Sequence, residues 1–275
     1  MSRPFLKMNG LGNDFVVVEA RNAPFEPSLA EVRAIADRAS GIGCDQVISI
    51  EPSDRAEAFV RFWNSDGVEI DACGNGSRCV GQLLLTASGR DAATFETRAG
   101  QLTAMAAPGG LVSLDMGEPR LGWADIPLSE EVDTRGVELQ VGPIDNPHLY
   151  TPGCVNMGNP HVVFFVADAE TAPVRAAGSL IEHHPLFPEG VNVGFAQVRA
   201  RDNIRLKVWE RGAGQTLACG TGACAALVAA SRRGLTDRRA SVEMDGGELL
   251  VEWRETDGHV IMTGPAVLDF AGTLP

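Results

Sequence analysis

The chain has few basic residues, almost no lysine and no long apolar run. Lys7 and Lys207 are its only lysines, and 23 basic against 36 acidic residues give a formal net charge of −13. Nucleic-acid binding needs a basic stripe that replaces phosphate counterions, so this balance excludes nucleic acid as a partner. The apolar runs are the length of strands, far below the roughly 20 residues of a membrane-spanning helix. Because the N-terminus also lacks a basic and apolar leader, we expect a cytoplasmic protein that does not enter membranes.

Motifs for metals and organic cofactors are missing as well. The spacings of Cys73 to Cys79 and of Cys219 to Cys224 are not the short Cys-x-x-Cys pairs typical of zinc sites. Neither lysine lies in a pyridoxal-type signature, and the lone Gly-x-Gly segments lack the strand–helix alternation of a dinucleotide fold. Six cysteines without a secretory leader indicate free thiols. We therefore expect no metal and no cofactor.

What the chain does contain is one cysteine motif written twice. Residues 62–76 read FWNSDGVEIDACGNG, and residues 208–222 read VWERGAGQTLACGTG. Tryptophan is second in both copies, and Ala-Cys-Gly-x-Gly ends both. Cys219 follows Cys73 by 146 residues, and further polar residues and prolines match at this same offset. These pairs are Asn13 with Asn159, Gln46 with Asn192, Asn64 with Glu210, and Pro119 with Pro265.

The two halves of the chain also show the same pattern of predicted secondary structure. A partially alternating strand precedes each cysteine, and residues 75–88 and 221–233 read as helices. Asn75 and Thr221 are good N-cap residues for these helices. Both helices are apolar on nearly every side, which indicates burial. We therefore predict an α+β protein of two pseudo-symmetric domains, each a curled, mostly antiparallel sheet around a central helix.

A Gly-Glu-Pro-Arg turn near residue 118 divides the predicted domains. The N-terminal half covers residues 1–118 and carries the first cysteine, and the C-terminal half covers residues 119–264 and carries the second. We expect residues 265–275 to return to the first half. Amphipathic patterns near 28–40 and 168–183 predict two surface helices.

The position of the two cysteines predicts their chemistry. A cysteine placed just before a helix lies where backbone N–H groups and the helix dipole favour negative charge, which predicts a lowered thiol pKa. The same N–H groups can bind a carboxylate. Two thiols on opposite faces of the adjacent carbon could then move a proton from one face to the other. The residues therefore favour racemisation or epimerisation without a cofactor.

Six segments together form a more specific signature. They are Gly10–Phe15, Asn64–Gly67, Ala72–Cys79, Met157–His161, Val191–Val193 and Trp209–Cys224. In this order, over essentially the whole chain, they resemble the diaminopimelate epimerase family. The resemblance implies cofactor-independent interconversion of LL- and meso-diaminopimelate, for lysine and peptidoglycan synthesis, on two domains of this repeated kind. It also implies a homodimer.

By position, the resemblance implies catalysis by Cys73 and Cys219, with His161 and Glu210 tuning their pKa values. It further implies that N–H groups at the helix starts hold the reacting carboxylate, and that amides, Glu210 and Arg211 hold the rest of the substrate. Arg211 suits a planar carboxylate because its guanidinium can donate two parallel hydrogen bonds. The implied substrate-binding residues are Asn13, Gln46, Asn64, Gly74, Asn75, Asn159, Asn192, Glu210, Arg211, Gly220 and Thr221.

Other functions stay open at this point. A proline or hydroxyproline racemase of the cysteine type would act on a substrate without a distal zwitterion, and Arg211 with Asn64, Asn159 and Asn192 argues against it. An isomerase of the phenazine-pathway type lacks the cysteine pair. Outside isomerases, the two cysteines could form a thiol redox switch, and a non-catalytic amino-acid-binding protein would need no thiol.

Overall fold

The computed structural model of the protein describes residues 3–274 and divides into two compact units. The first unit contains the described residues up to Asp115 and those from Thr263 onwards, and the second is Met116–Met262. The predicted boundary after residue 118 lies three residues later than the observed one, and the predicted boundary after residue 264 lies two residues later.

The first unit is a sheet curled around one helix. Its elements are β1 (Pro4–Gly10), β2 (Asn13–Glu19), α1 (Leu29–Ala36), β3 (Gln46–Glu51), β4 (Phe59–Asn64), β5 (Glu69–Ile70), α2 (Gly74–Ser88), β6 (Ala92–Thr97), β7 (Gly100–Ala107), β8 (Leu111–Asp115) and β19 (Val267–Thr273). Neighbouring strands run β19-β1-β2-β3-β4-β6-β7-β8, where β2–β3 and β4–β6 are parallel and the other neighbours are antiparallel. Helix α2 packs against β1, β2, β6, β7 and β8.

The second unit repeats this arrangement. Its elements are β9 (Gln140–Val141), β10 (Leu149–Tyr150), β11 (Gly153–Asn156), β12 (Pro160–Phe165), α3 (Val174–Glu182), β13 (Asn192–Ala200), β14 (Asn203–Glu210), β15 (Gly214–Thr216), α4 (Gly220–Arg232), β16 (Arg239–Met244) and β17 (Gly247–Trp253); β18 (Val260–Gly264) crosses the boundary. Strands run β11-β12-β13-β14-β16-β17, with β12–β13 and β14–β16 parallel. Helix α4 packs against β11 to β14, β16 and β17.

The repeat extends to the register of the strands. Phe15 lies opposite Gln46 in the first unit, and His161 lies opposite Asn192 in the second, which is the same pairing shifted by 146 residues. From β1 to β7 and from β11 to β17, antiparallel and parallel pairs alternate in the same succession. The predicted fold class, α+β with two pseudo-symmetric domains built on curled, mostly antiparallel sheets around a helix, is confirmed.

Both central helices begin earlier than predicted. Their N-caps are Cys73 and Cys219, so the prediction of Asn75 and Thr221 as N-caps is wrong. Gly76 allows the first turn of α2 to lie on the sheet, since a Cβ there would be 2.9 Å from Ile48. The two surface helices, α1 and α3, are shorter than predicted. Among residues 3–274, no helix combines the length and apolar character needed to cross a bilayer.

Candidate active site

Cys73 is the residue from which α2 begins. Its backbone is extended (φ −141°, ψ 117°), and its Sγ accepts a hydrogen bond from the backbone N–H of Gly76 at 3.5 Å. The thiol is partly exposed, so a small molecule can reach it. Backbone N–H groups and the helix dipole favour negative charge at this end of α2. The first unit thus presents an accessible sulfur where an anion is stabilised.

Amide side chains of the first unit form two separate pairs. Asn75 donates through Nδ2 to Asn13 Oδ1 at 2.7 Å, and Gln46 donates through Nε2 to Asn64 Oδ1 at 3.0 Å. Gln46 Oε1 is buried, and within residues 3–274 it has no hydrogen-bond partner. Buried acceptors are nearly always paired, so a ligand N–H donor would satisfy this oxygen. The four predicted residues thus lie in two hydrogen-bonded pairs, and their role in binding stays a prediction.

Arg78 is a residue that sequence reasoning missed. It is fully buried, and its Nη2 donates to Asn75 Oδ1 at 2.8 Å while its Nε donates to the carbonyl oxygen of Pro265 at 3.3 Å. Because Arg78 occupies Asn75 Oδ1, the Nδ2 of the same amide must face Asn13. A charged residue inside an otherwise apolar helix was the available signal in the sequence.

Cys219 holds the matching position in the second unit but is buried, with 6% of its surface exposed. Its Sγ lies 3.5 Å from Thr221 Oγ1, and its backbone N–H donates to Met244 Sδ at 3.5 Å. Burial, followed by the charge of Glu210, raises the pKa of the Cys219 thiol well above its ordinary value. The predicted lowering of this pKa is therefore wrong, because lost hydration outweighs the helix N-terminus.

The Glu210 carboxyl lies beside the Cys219 thiol. It accepts a hydrogen bond from that thiol, and its Oε1 accepts one from Thr216 Oγ1 at 2.5 Å. Burial raises the pKa of Glu210 above its ordinary value, and the two hydrogen bonds reduce that rise without cancelling it. The Cys219 thiol thus favours its protonated form, as suits a group that delivers a proton.

His161 is a buried, neutral imidazole. Its Nε2 lies 2.9 Å from Asn159 Oδ1 and 3.0 Å from Thr221 Oγ1. Burial, with a smaller effect of the Arg211 charge, lowers the pKa of His161 to about 3. A neutral ring supplies no positive charge to a thiolate. The Thr221 hydroxyl connects His161 to the cysteine, since it lies 3.0 Å from His161 Nε2 and 3.5 Å from Cys219 Sγ.

This burial predicts a pH dependence of stability. Folded His161 takes up a proton only near pH 3, whereas an unfolded histidine does so near its ordinary pKa. The unfolded state therefore binds more protons between these values, and the free energy of unfolding should fall by up to about 1.4 kcal/mol per pH unit below about pH 6.5. Urea unfolding at about pH 7 and about pH 5 should show a loss about 2 kcal/mol larger for wild type than for His161→Gln. Equal losses would contradict the assignment, since all other groups are common to both proteins.

Asn192 fixes the start of the turn that follows β14. Its Nδ2 donates to the carbonyl oxygen of Pro160 at 2.9 Å, and its Oδ1 accepts from the backbone N–H of Arg211 at 2.9 Å. The exposed guanidinium of Arg211 donates through Nη1 to the carbonyl oxygen of Glu189 at 2.9 Å. A guanidinium has five N–H donors, so Arg211 can hold this carbonyl and a planar carboxylate together.

Within each unit, then, the structure brings most of the predicted residues into contact. Gly74 and Gly220 are the first residues of α2 and α4. In the second unit a chain of contacts runs from Asn159 through His161 and Thr221 to the thiol and Glu210, while Asn192 and Arg211 form a separate contact. All six cysteines are free, and residues 3–274 contain no group of three or more His, Cys, Asp or Glu side chains that could hold a metal ion.

Known proteins share both the sequence and the fold. The family described as diaminopimelate epimerase matches residues 5–122 and 153–268. A diaminopimelate epimerase of Phenylobacterium zucineum is 67% identical over 276 residues, covering 100% of this chain and 99% of the relative, and one of Caulobacter vibrioides is 62% identical over 287 residues, covering 100% and 98%. The crystal structure of a hydroxyproline epimerase from Agrobacterium vitis aligns with a TM-score of 0.69 at 18% identity, over 99% of this chain and 92% of that one, which is a likeness of fold. The chain belongs to the diaminopimelate epimerase family.

Proposed function

We propose that this chain is an isomerase that interconverts LL- and meso-diaminopimelate without a cofactor. The observation that carries the proposal is that Cys73 and Cys219 cap the two central helices at equivalent positions of a repeated fold. One cysteine, as thiolate, removes the proton from the α-carbon, and the other, as thiol, delivers a proton to the opposite face. The first sulfur ends protonated and the second ends as thiolate, so charge and protons balance. Two relatives more than 60% identical carry this activity in their names.

The reaction needs a means of stabilising the carbanion. Removing a proton next to a carboxylate concentrates negative charge at the reacting centre, and oriented backbone N–H groups stabilise charge where it develops. We assign this task to the first residues of α2 and α4, where N–H groups have no partner within the helix. These residues are Gly74, Asn75, Gly220 and Thr221.

The far end of the substrate carries a second ammonium and a second carboxylate. Arg211 matches this carboxylate, and the amides of Asn64, Asn159 and Asn192 offer donors and acceptors to the same end of the substrate. Glu210, beside the Cys219 thiol, binds an ammonium. The buried, unpaired Gln46 Oε1 favours an ammonium hydrogen as its partner. Asn13 and Gln46 complete the pocket.

The two thiols differ in their resting state. Burial and the neighbouring Glu210 favour the neutral thiol of Cys219, which supports Cys219 as the resting proton donor. Cys73 is the more exposed sulfur and accepts an N–H hydrogen bond, which supports it as the resting base. Turnover exchanges these states, so the reverse reaction starts from the opposite protonation.

The experiment that tests the function is incubation of the reduced protein with LL-diaminopimelate in D₂O. We expect deuterium at one α-carbon together with formation of the meso isomer. A folded, reduced protein that gave neither exchange nor isomerisation would contradict the proposal. Proline and hydroxyproline in the same assay test the racemase alternative. Deuterium exchange into either of these amino acids, with none into diaminopimelate, would establish that alternative.

A thiol redox switch makes a different prediction for the same protein. If the cysteines act as a redox switch, oxidation of their thiols should leave the isomerase activity unchanged. A reductant would then be needed only to reset the switch. If they act as acid and base, thiol oxidation should abolish isomerisation and reduction should restore it. We propose a cytoplasmic role in lysine and peptidoglycan precursor synthesis, because acid–base thiols need the reducing conditions of that compartment.

We also propose that the protein forms a homodimer through β19. Val267, Leu268 and Phe270 of this strand are each about half exposed. Apolar side chains clustered on one exposed strand mark an interaction surface, and a second copy of this strand would cover them.

Phe270→Glu should therefore shift the protein from dimer to monomer in sedimentation velocity at micromolar concentration. Ile144→Glu is the matched control, because Ile144 is 88% exposed and lies outside β19, and this variant should remain dimeric. A monomeric wild-type protein would rule the interface out.

A further inference from the structure

Glu182, at the end of α3, holds the turn that carries Glu210 and Arg211 by two hydrogen bonds. Its Oε2 accepts a hydrogen bond from Trp209 Nε1 at 2.7 Å, and its Oε1 accepts one from the backbone N–H of Gly212 at 2.8 Å. The carboxyl group is buried, with 7% of the residue exposed. Both donors therefore belong to the residues immediately before and after the Glu210–Arg211 pair.

The packing of α3 enforces the same arrangement. Gly178 lies one helical turn before Glu182, and a Cβ at Gly178 would be 2.5 Å from Trp209 Cγ. The indole ring is thus pressed against the backbone of α3, with its N–H directed to the carboxyl group. Asn192 completes the hold by accepting from the backbone N–H of Arg211.

The first unit holds the equivalent turn without a carboxyl group. At the 146-residue offset, Gly178 and Glu182 correspond to Val32 and Ala36. Helix α1 holds the turn after Trp63 through Arg33, whose Nε donates to the carbonyl oxygen of Asp66, the counterpart of Gly212, at 2.6 Å. Both turns also close locally, since the backbone N–H of Gly67 donates to the carbonyl oxygen of Asn64 at 2.8 Å and that of Ala213 donates to the carbonyl oxygen of Glu210 at 3.1 Å. The shared fold therefore does not require the carboxyl group. It occurs in the half whose turn carries an acid and a guanidinium.

We propose that Glu182 is a positioning residue that sets substrate affinity by holding Arg211 in the binding geometry. This inference rests on the proposed function, in which Arg211 binds the distal carboxylate. A carboxyl group suits the task because each of its oxygens faces an N–H donor. Glutamine would satisfy one donor and turn its own NH₂ group towards the other, which leaves a buried donor unpaired.

The test is a double-mutant cycle on the full-length protein, with KM and kcat measured for LL-diaminopimelate. Glu182→Gln should raise KM about tenfold with kcat within about threefold, because Arg211 contacts the substrate equally before and during proton transfer. In an Arg211→Met background the same change should alter KM by less than about twofold. An equal effect in both backgrounds would make Glu182 a general structural support and overturn the proposal. Glu131→Gln, which removes an exposed carboxylate of the same unit, is the control and should leave both constants unchanged.

Hydrogen exchange separates this proposal from the proposed function. Amides of residues 209–216 should exchange about tenfold faster in Glu182→Gln than in wild type, whatever the substrate. A wild-type protein inactive on diaminopimelate would contradict the proposed function and, with it, the role of Glu182 in substrate affinity. Faster exchange in Glu182→Gln would still show that Glu182 holds the turn. An active wild type with unchanged KM in Glu182→Gln would end the affinity role alone. Trp209→Phe, which removes one donor and keeps an aromatic ring, should show a smaller rise in KM and guards against misfolding of the glutamine variant.

Discussion

Replacing Cys73 or Cys219 with serine should lower the rate of epimerisation by about 10³-fold or more. Serine is close to cysteine in size, but its hydroxyl group is a far weaker acid, so it can neither exist as an anion near neutral pH nor take the α-proton. The Thr221 and Glu210 contacts remain available to a hydroxyl at position 219. Formation of the meso isomer from LL-diaminopimelate measures the loss, and circular dichroism with urea unfolding checks the fold.

Cys154→Ala is the matched control for these variants. Cys154 is a fully buried thiol on β11, and burial raises its pKa to about 12, so it cannot serve as a base. Removing its sulfur should cost about 1 kcal/mol of unfolding free energy and leave the rate unchanged. Full activity in Cys73→Ser, or unfolding of both serine variants, would show that the paired cysteines are structural.

The sequence repeat predicted the fold because a fixed offset preserves strand register. A sheet tolerates no odd shift of one strand against the next without turning its side chains to the other face, so a constant offset of 146 residues predicts equal pairings in both halves. The pairing of Phe15 with Gln46 and of His161 with Asn192 follows from it. The burial of the two central helices could also be predicted from the sequence, since neither helix has a polar face.

The helix starts and the Cys219 pKa were harder to predict because they depend on surroundings. Asn75 is an excellent N-cap by residue type, but its amide is bound by Asn13 and Arg78, and the cysteine two residues earlier takes the capping position. A helix N-terminus lowers a thiol pKa only while the sulfur keeps some hydration or a compensating charge. Local sequence does not reveal that Cys219 loses both.

Residues that act through partners distant in the chain were even harder to identify from the sequence. Glu182 contacts Trp209 and Gly212, 27 and 30 residues further along the chain. Its position at the end of an amphipathic pattern is typical of a solvated acid. Only the packing of α3 on the turn after β14 turns it inward.

Replacing the buried Arg78 with methionine should lower the free energy of unfolding by about 3 kcal/mol. The guanidinium joins Asn75, three residues before it in the sequence, to Pro265, 187 residues after it. It thereby ties the first turn of α2 to the segment that follows Thr263 within the same unit. Methionine fills a similar length but leaves the amide oxygen and the carbonyl oxygen without these donors.

Urea unfolding of Arg78→Met beside Arg90→Met measures the effect, because the Arg90 side chain is 70% exposed and should lose less than about 0.5 kcal/mol. Arg78→Lys should recover part of the stability, since an ammonium can reach one oxygen but not both. The methionine variant should also turn over more slowly, because an Asn75 amide free to rotate no longer fixes Asn13 beside the Cys73 helix start. Equal stability of Arg78→Met and wild type would mean that apolar volume can replace a buried guanidinium here, as it can for some buried ion pairs. In that case the apolar packing of α2 on its sheet alone would hold the first cysteine in place.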